Sequence, residues 1–297
     1  MAAIVPFDQR VGVIWFNGEF VEWKEAKVHV LTHALHYASA VFEGERAYGG
    51  EIFKLTEHTE RLFASAEMLD MKIPFTVAEI DKASRDTLAR QGFTDAYVRP
   101  IAWRGSEMMG VAAQASRINV AIAIWQWPAY FDPNALEKGI RLDIAKWRRP
   151  DPATAPAKAK AVGLYMICTL SKHEAERKGY ADAMMLDWRG QVAECTGANI
   201  FFVKDGQLHT PAPDCFLDGI TRRTVMDLAR RRQIKVNERV IWPEELIGFE
   251  QCFIVGTAAE VTPVGQIGTY KFPVGDLART LRADYLAEVQ PAKVAAE

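Results

Sequence analysis

The chain has 297 residues, of which 36 are Lys or Arg and 38 are Asp or Glu, so its formal net charge is −2. Hydrophobic residues make up 49% and charged residues 25% of the sequence, which is typical of a globular protein and excludes a largely disordered one. The near-neutral charge gives no reason to expect binding to nucleic acid or to acidic membranes. The length predicts two domains or one large one.

The four cysteines are scattered singly along the chain, so neither a zinc ribbon nor a disulfide framework is expected. No apolar run reaches the roughly 18–20 residues that cross a membrane. The first residues lack the charged and then apolar order of a secretory signal. These features favour a reducing compartment, the cytoplasm or an organelle matrix, and of these we expect the cytoplasm.

The first half of the chain mixes strands and helices. Asn17-Gly18 between two apolar runs predicts a hairpin, and Thr76 with Glu79 forms a capping box that begins a helix. In chain order we expect a hairpin at 13–21, helices at 55–71 and 76–90, and strands at 95–104 and 118–127.

The aromatic, turn-rich segment 128–133 marks a domain junction. We expect a small α/β domain at 1–127, an interdomain loop at 128–138 and a large domain at 139–297. Because a regular βαβ alternation is not evident, the sequence favours an α+β architecture. In the second half we expect strands at 140–146, 183–187, 191–194, 199–204, 207–210, 234–241, 251–256 and 260–264, and helices at 163–178, 219–232 and 276–289.

Three histidines, His29, His33 and His36, stand four and three residues apart. On one helix face they could bind a metal, but the flanking β-branched residues make that helix doubtful. We therefore favour structural histidines around a loop and expect no metal.

Arginines stand at both ends of the predicted helix at 219–232, at Arg222, Arg223 and 230–232. No aromatic residues interleave them, which argues against nucleic-acid binding. The default interpretation is a solvated helix face.

Period two along the strand at 95–104 places Tyr97, Arg99, Ile101 and Trp103 on one face. If this face is buried, Arg99 needs an anionic partner. That partner is either a substrate carboxylate or an internal Asp or Glu, and the pattern alone does not decide between them.

Lys158 and Lys160 lie in an alanine-rich segment just before a helix. An apolar environment lowers the pKa of a lysine and makes it a nucleophile for carbonyl groups. Gly219 begins a helix whose free amides could hold a phosphate, and the segment 256–259 could add amides and a hydroxyl. Together these features point to a phosphorylated carbonyl cofactor, although an exposed lysine at a helix start is the commoner case.

The order of these motifs resembles the branched-chain amino acid aminotransferases, which are fold-type IV pyridoxal phosphate enzymes of the class IV aminotransferase family. The resemblance runs from Ile14 to about Gln290 and rests on HALHY, VFEG, RLFASA, AYVRP, MGV, AECTGANIF, GITR and GTAAEVTPV. It implies a two-domain α+β fold like that of D-amino acid aminotransferase, with pyridoxal 5′-phosphate as the cofactor. Trp103, Arg104 and Glu107 depart from the smaller or apolar residues usual in the family.

The resemblance implies a role for each residue of the cofactor site. Lys160, followed by small residues, a glycine and Tyr165 as in the family, is the catalytic lysine, whereas Lys158 stands two residues too early. Glu194 pairs with the pyridine nitrogen, Arg61 binds the phosphate, and Tyr165 donates to the phenolic oxygen. The implied cofactor-binding residues are Arg61, Lys160, Tyr165, Glu194, Leu217, Gly219, Ile220, Thr221, Gly256 and Thr257.

The substrate pocket also follows from the resemblance. Tyr97 with the amides of Thr257 and Ala258 holds the α-carboxylate, and Arg99 meets the second carboxylate of glutamate. Tyr37 and the segment 109–111 reach the pocket of the partner subunit, which implies at least a homodimer and leaves a hexamer of three dimers open. The implied substrate-binding residues are Tyr37, Phe42, Gly44, Tyr97, Arg99, Trp127, Tyr130 and Ala258.

We therefore expect reversible transfer of the amino group of L-Leu, L-Ile or L-Val to 2-oxoglutarate, which gives L-glutamate and branched 2-oxo acids. The nearest alternative is a D-amino acid or (R)-amine transaminase of the same fold. Alternatives of other classes are a metalloenzyme built on the three histidines and a binding protein without catalysis.

Overall fold

The structure is a computed structural model that describes residues 5–126 and 135–290. Two compact units divide the described residues, and the short segment Ala159–Gly163 belongs to the first unit together with 5–126. The rest of the chain from 135 to Gln290 forms the second unit. The interdomain loop drawn at 128–138 stays a prediction, since most of it lies outside the described residues, as do Trp127 and Tyr130.

The first unit is built on a sheet that has seven strands among the described residues, in the order β2-β1-β7-β6-β4-β5, with β3 also paired to β6. Helices α1 to α3 accompany this sheet. The elements of the unit are β1 (Val13–Phe16), β2 (Glu19–Glu22), α1 (His33–Tyr37), β3 (Ala40–Phe42), β4 (Glu45–Tyr48), β5 (Glu51–Ile52), α2 (Leu55–Met68), α3 (Val77–Gln91), β6 (Ala96–Arg104) and β7 (Ile118–Trp125).

Local signals explain the edges of several elements in this unit. Asn17 and Gly18 adopt positive φ angles of 52° and 101°, as a two-residue hairpin turn requires, and β1 pairs with β2. The Thr76 side chain accepts from the Glu79 amide while the Glu79 carboxylate accepts from the Thr76 amide. The predicted hairpin and capping box are therefore confirmed, whereas the short strands β3, β4 and β5 were not predicted.

The residues that depart from the family pattern serve the structure of this unit. Trp103 is buried and meets Phe16 edge to face at 5.4 Å. Arg104 is also buried and donates hydrogen bonds to the carbonyl oxygens of Leu69 at 3.3 Å and Ala113 at 3.1 Å. These contacts satisfy the guanidinium with backbone acceptors, which a buried cation needs.

The second unit is built on a mixed sheet with nine strands in the described part of the chain, in the order β10-β9-β8-β15-β14-β11-β12-β13, with β16 paired to β15. Its elements are α4 (Ala135–Lys138), β8 (Ile140–Ile144), α5 (Met166–Arg177), β9 (Asp182–Leu186), β10 (Val192–Cys195), β11 (Asn199–Lys204), β12 (Gln207–Pro211), α6 (Ile220–Arg231), β13 (Val236–Arg239), β14 (Gln251–Gly256), β15 (Glu260–Ile267), β16 (Tyr270–Lys271) and α7 (Asp276–Val289).

Central strands of this sheet are apolar on both faces. In β11 the residues 199–203 are all buried, and Phe201 stacks on Phe253 of the adjacent β14 with ring centroids 5.2 Å apart. Both sheets are mainly antiparallel, with parallel pairs such as β8 with β9, so the predicted α+β class is confirmed. No helix among the described residues combines the length and the apolar character needed to cross a membrane.

Candidate active site

Lys160 belongs to the first unit because backbone contacts tie its segment to β3 and α2. Ala161 forms an antiparallel bridge with Val41, and the Phe42 amide donates to the Lys160 carbonyl oxygen at 3.1 Å. The Lys160 amide donates to Ser65 Oγ at 3.0 Å. The lysine is therefore held at a fixed place on two elements that are remote from it in sequence.

The environment of Lys160 favours its neutral amine. Burial lowers the pKa of Lys160, the carboxylate of Glu43 opposes that shift, and the guanidinium of Arg61 adds to it. The amine Nζ lies 5.0 Å from the centroid of the Phe42 ring. A neutral amine is the form that attacks a carbonyl carbon. Lys158, by contrast, is exposed.

A buried ion pair lies beside this lysine. Arg61 on α2 binds Glu43 through both carboxylate oxygens, Nε to Oε1 and Nη2 to Oε2, each at 2.7 Å. His58, one turn earlier on α2, places Nδ1 2.7 Å from Glu43 Oε2. Burial alone would raise the pKa of Glu43, but Arg61 and His58 hold it well below its usual range.

Sequence reasoning missed both Glu43 and His58. The available signal was an acidic residue directly after the apolar strand Ala40–Phe42, inside the motif VFEG. A carboxylate at such a position is buried only when it is paired. Its partners, 15 and 18 residues further along the chain, could not be identified without the fold.

Gly44 and Tyr97 fit each other closely. A Cβ atom at position 44 would lie 2.2 Å from the Tyr97 hydroxyl oxygen, so only glycine leaves room for that hydroxyl. Arg99 donates from Nη2 to the same hydroxyl at 2.9 Å. Its guanidinium carbon lies 4.7 Å from the centroid of the Phe42 ring, which is cation–π distance.

Arg99 has no carboxylate partner among the residues that the structure describes. Its Nε atom is buried and has no acceptor within that same part of the chain. The internal salt bridge that the sequence left open is therefore not found in 5–126 or 135–290. A partly buried guanidinium in this condition is suited to an anionic ligand.

The second unit holds a buried carboxylate, Glu194, on β10. Arg149 Nε lies 3.4 Å from Glu194 Oε1, and Asn199 donates to Oε2 at 3.3 Å. Burial by itself would lower the pKa of Arg149, but the neighbouring Glu194 carboxylate raises it above its ordinary value. The pair keeps a negative charge in the interior of the unit, where a positively charged ring nitrogen can be stabilised.

The start of α6 in the same unit is suited to an anion. Gly219 precedes the helix, and no side chain caps the helix N-terminus, so the amides of Ile220 and Thr221 lie at its positive end. A Cβ atom at Gly219 would lie 2.2 Å from Asn199 Oδ1. Glycine therefore permits the close approach of this loop to β11.

The helix α6 corrects one expectation. Arg222 is only 1% exposed and does not lie on a solvated face. Its guanidinium binds Asp218 Oδ1 and Glu238 Oε2, each at 2.8 Å. The reason is that β13 brings Glu238 next to the helix, so that an arginine on the inner face finds acidic partners.

Other predicted residues of the second unit lie at element ends. Gly256 ends β14, and Thr257 and Ala258 form the turn into β15. Leu217 lies in the loop before α6, where its carbonyl oxygen accepts from Asn199 at 3.0 Å. Tyr165 directly precedes α5.

The three histidines do not form one cluster of ligands. His33 places Nδ1 2.6 Å from Ser39 Oγ and Nε2 3.0 Å from the Gly110 carbonyl oxygen. His36 Nε2 lies 2.9 Å from the Val30 carbonyl oxygen. These contacts agree with the structural role that the sequence favoured.

The chemistry of the two donor sets fits a phosphorylated aromatic aldehyde. The first unit brings together an amine of lowered pKa, a phosphate-binding arginine and an arginine that has no acidic partner among the described residues, namely Lys160, Arg61 and Arg99. The second unit supplies the buried carboxylate of Glu194 and the uncapped start of α6.

Comparison with known proteins agrees with this chemistry. The model of the family "Amino-transferase class IV" matches residues 40–267. A probable branched-chain-amino-acid aminotransferase of Rickettsia felis is 42% identical over 286 residues, which cover 95% of this chain and 97% of the relative. A branched-chain-amino-acid aminotransferase of Pseudomonas aeruginosa is 42% identical over 270 residues, which cover 90% of this chain and 88% of the relative.

Solved structures have the same fold. A branched-chain amino acid aminotransferase of the source abbreviated T.th., with pyridoxamine 5′-phosphate, matches with a TM-score of 0.91 at 39% identity, over 95% of each chain. The enzyme from the same source complexed with N-(5′-phosphopyridoxyl)-L-glutamate matches with a TM-score of 0.90 at 39% identity, over 94% of each chain. The likeness confirms the fold predicted from the motifs.

Proposed function

Because the chain belongs to the class IV aminotransferase family, we propose that it is a branched-chain amino acid aminotransferase dependent on pyridoxal 5′-phosphate. It transfers the amino group of L-Leu, L-Ile or L-Val reversibly to 2-oxoglutarate, which gives L-glutamate and a branched 2-oxo acid. Relatives at 42% identity with this named activity, and solved structures that hold pyridoxamine phosphate or phosphopyridoxyl-glutamate, support the assignment.

Bound pyridoxal phosphate supplies a ring that accepts the electron pair left on the substrate Cα. Lys160 holds the carbonyl carbon of the cofactor and, once displaced by substrate, its Nζ removes the proton from Cα. Glu194 stabilises the positive charge at the pyridine nitrogen, and Tyr165 donates to the phenolic oxygen. The proposed phosphate ligands are Arg61, Ile220, Thr221 and Thr257, with Gly219, Gly256 and Leu217 lining the site.

The observation that carries the substrate assignment is the state of Arg99. Its guanidinium stacks on Phe42, hydrogen-bonds the Tyr97 hydroxyl and meets no carboxylate among the described residues. One pocket can therefore offer a cation to the second carboxylate of glutamate and an apolar surface to a branched side chain. Gly44, Ala258, Tyr37, Trp127 and Tyr130 complete the proposed pocket.

The chain is proposed to act as a homodimer at least. Around α1 the apolar side chains of Val30, Leu31, Leu35 and Tyr37 are 45–70% exposed. Val111, in the segment 109–111, is 84% exposed. A cluster of exposed apolar side chains is typical of a protein interface, and here it coincides with the segments expected to reach the partner's pocket.

We place the reaction in the cytoplasm, because the four cysteines are free and buried, as suits a reducing compartment. The decisive experiment is a kinetic panel with the purified protein and pyridoxal phosphate. We expect transamination of L-leucine, L-isoleucine and L-valine with 2-oxoglutarate. Activity with D-alanine or (R)-1-phenylethylamine but not with L-leucine would overturn the assignment.

A further inference from the structure

The carboxylate of Glu43 connects three groups of the first unit. It is fully buried and accepts two parallel hydrogen bonds from Arg61 and one from His58. Bidentate contact of this kind fixes the plane of a guanidinium as well as its position. Arg61 is therefore held in one orientation by a residue of the strand side of the unit.

His58 completes the arrangement as a neutral donor. Burial lowers the pKa of His58, although the Glu43 carboxylate acts in the opposite direction. A neutral imidazole carries one N–H group, and the 2.7 Å contact of Nδ1 with Glu43 Oε2 requires that the hydrogen be on Nδ1. The site then contains one anion and one fixed cation, joined by a neutral donor.

Glu43 is also an electrostatic neighbour of Lys160. Its preceding residue, Phe42, donates to the Lys160 carbonyl oxygen, so the backbone holds the two side chains near each other. Glu43 raises the pKa of Lys160 against burial, which lowers it. The charged and titratable groups that act on Lys160 are Glu43, Arg61, His58, Tyr97 and Arg99.

We propose that Glu43, oriented by His58, is a positioning residue of this site that fixes Arg61 for a phosphate group and provides the negative charge beside Lys160. The inference rests on the proposed function, because the phosphate and the carbonyl that it prepares are those of pyridoxal phosphate. Glu43 itself does not touch the reacting atoms.

The test uses two isosteric variants, Glu43→Gln and Glu45→Gln. Glu45 is two residues further along, on β4, and is as fully buried as Glu43. Neither of its carboxyl oxygens has a hydrogen-bond partner within the described ranges. The control therefore removes a carboxyl group of equal burial that does not hold Arg61.

The first readout is binding of two probes, pyridoxal phosphate and pyridoxal, to the full-length protein freed of cofactor, followed by visible absorbance. Glu43→Gln should weaken binding of pyridoxal phosphate about tenfold or more, because the guanidinium loses its charge-assisted contacts. Binding of pyridoxal, which has no phosphate, should not weaken. Glu45→Gln should bind both probes like the wild type.

The second readout is the rate of reaction of Lys160 with pyridoxal as a function of pH. Because Glu43 favours the ammonium form, its removal should move the midpoint of this profile to lower pH. Glu45→Gln should leave the midpoint in place. A loss of packing alone would lower occupancy without moving the midpoint.

The outcomes separate the two proposals. Wild type that binds no pyridoxal phosphate would overturn both the proposed function and this inference. Wild type and Glu43→Gln with equal affinity and equal midpoints would overturn the inference alone. If Glu43→Gln does not fold, His58→Asn and His58→Leu replace it: asparagine keeps a donor near the position of Nδ1 and should retain affinity, whereas leucine should weaken it, and equal affinity in the two would refute the role of His58 and Glu43.

Discussion

Asn199 donates a hydrogen bond to Glu194, with 3.3 Å between Nδ2 and Oε2. The same amide donates to the Leu217 carbonyl oxygen at 3.0 Å, and its Oδ1 occupies the space that a Cβ at Gly219 would need. One side chain therefore orients the carboxylate proposed for the pyridine nitrogen and holds the loop that leads into α6. Sequence reasoning gave Asn199 no role, although the motif AECTGAN contains it.

Asn199→Ala should lower both stability and activity. The variant leaves Glu194 and the Leu217 carbonyl without their donor, which costs about 1–3 kcal/mol in the free energy of unfolding, and the carboxylate loses its orientation. Denaturant unfolding and steady-state kinetics with L-leucine measure the two effects.

Asn237→Ala is the matched control for Asn199→Ala. Asn237 is a partly buried amide of the same unit that donates to Gln207 Oε1 and to the Leu208 carbonyl oxygen, each at 3.1 Å. It should lose comparable stability and keep its activity. Equal activity in the two variants would argue against the orienting role of Asn199.

Lys160→Ala should abolish transamination, with a loss of at least about 100-fold as expected when a general base is removed. Lys158→Ala should remain active, because that side chain is exposed. The visible absorbance of the lysine-bound cofactor, which should bleach on addition of L-leucine, reports the same difference directly. Retention of this absorbance in Lys160→Ala would transfer the role to Lys158.

Arg99→Gln should discriminate between the two substrate classes. The guanidinium is expected to meet the second carboxylate of glutamate, so kcat/KM for L-glutamate and KM for 2-oxoglutarate should worsen about tenfold or more. The half-reaction with L-leucine, whose side chain has no charge, is the internal control and should change much less. Equal losses for glutamate and leucine would contradict the assignment of Arg99.

Glu45→Gln should stabilise the protein, and more so as the pH rises. Burial, followed by the nearby carboxylates of Glu43 and Asp81, raises the pKa of Glu45 well above the ordinary value of 4.5. The folded protein then keeps a proton that the unfolded chain releases near that pH. Wild type therefore loses stability as the pH rises from about 4.5 toward the folded pKa, by at most about 1.4 kcal/mol per pH unit.

Urea unfolding at pH 5 and pH 8 measures this linkage. The gain of Glu45→Gln over wild type should be larger at pH 8. Glu43 has the opposite sign, because its pKa lies below the ordinary value: its contribution is present above pH 4.5 and is lost in acid. A gain in Glu45→Gln that does not vary with pH would show that Glu45 titrates normally.

Leu35→Arg should prevent self-association. Leu35 is 62% exposed within the apolar surface around α1, and a charge buried there without a partner opposes dimer formation. Sedimentation should show dimers for wild type and monomers for the variant. Ile247→Arg is the control, since Ile247 is 83% exposed in the second unit, and the loss of dimers in that variant too would dissociate the interface from α1.

The sequence by itself determined features whose signals lie within a few residues of each other. The hairpin at Asn17-Gly18 and the capping box at Thr76 depend on local backbone angles and local hydrogen bonds, and both were found as predicted. The order of motifs, compared with a known family, then gave the fold and the class of reaction. Spacing alone went no further than a phosphorylated carbonyl cofactor and two candidate lysines.

Only the tertiary structure decided which polar groups are buried and what each of them meets. It paired Glu43 with Arg61 and His58, turned Arg222 inward to Glu238, and connected Asn199 with Glu194. A buried charge is tolerated only beside its partner, and that partner is supplied by another element of the fold. The residue types were visible in the sequence, but the charge, orientation and proton affinity of each group depend on neighbours that the folded chain brings together.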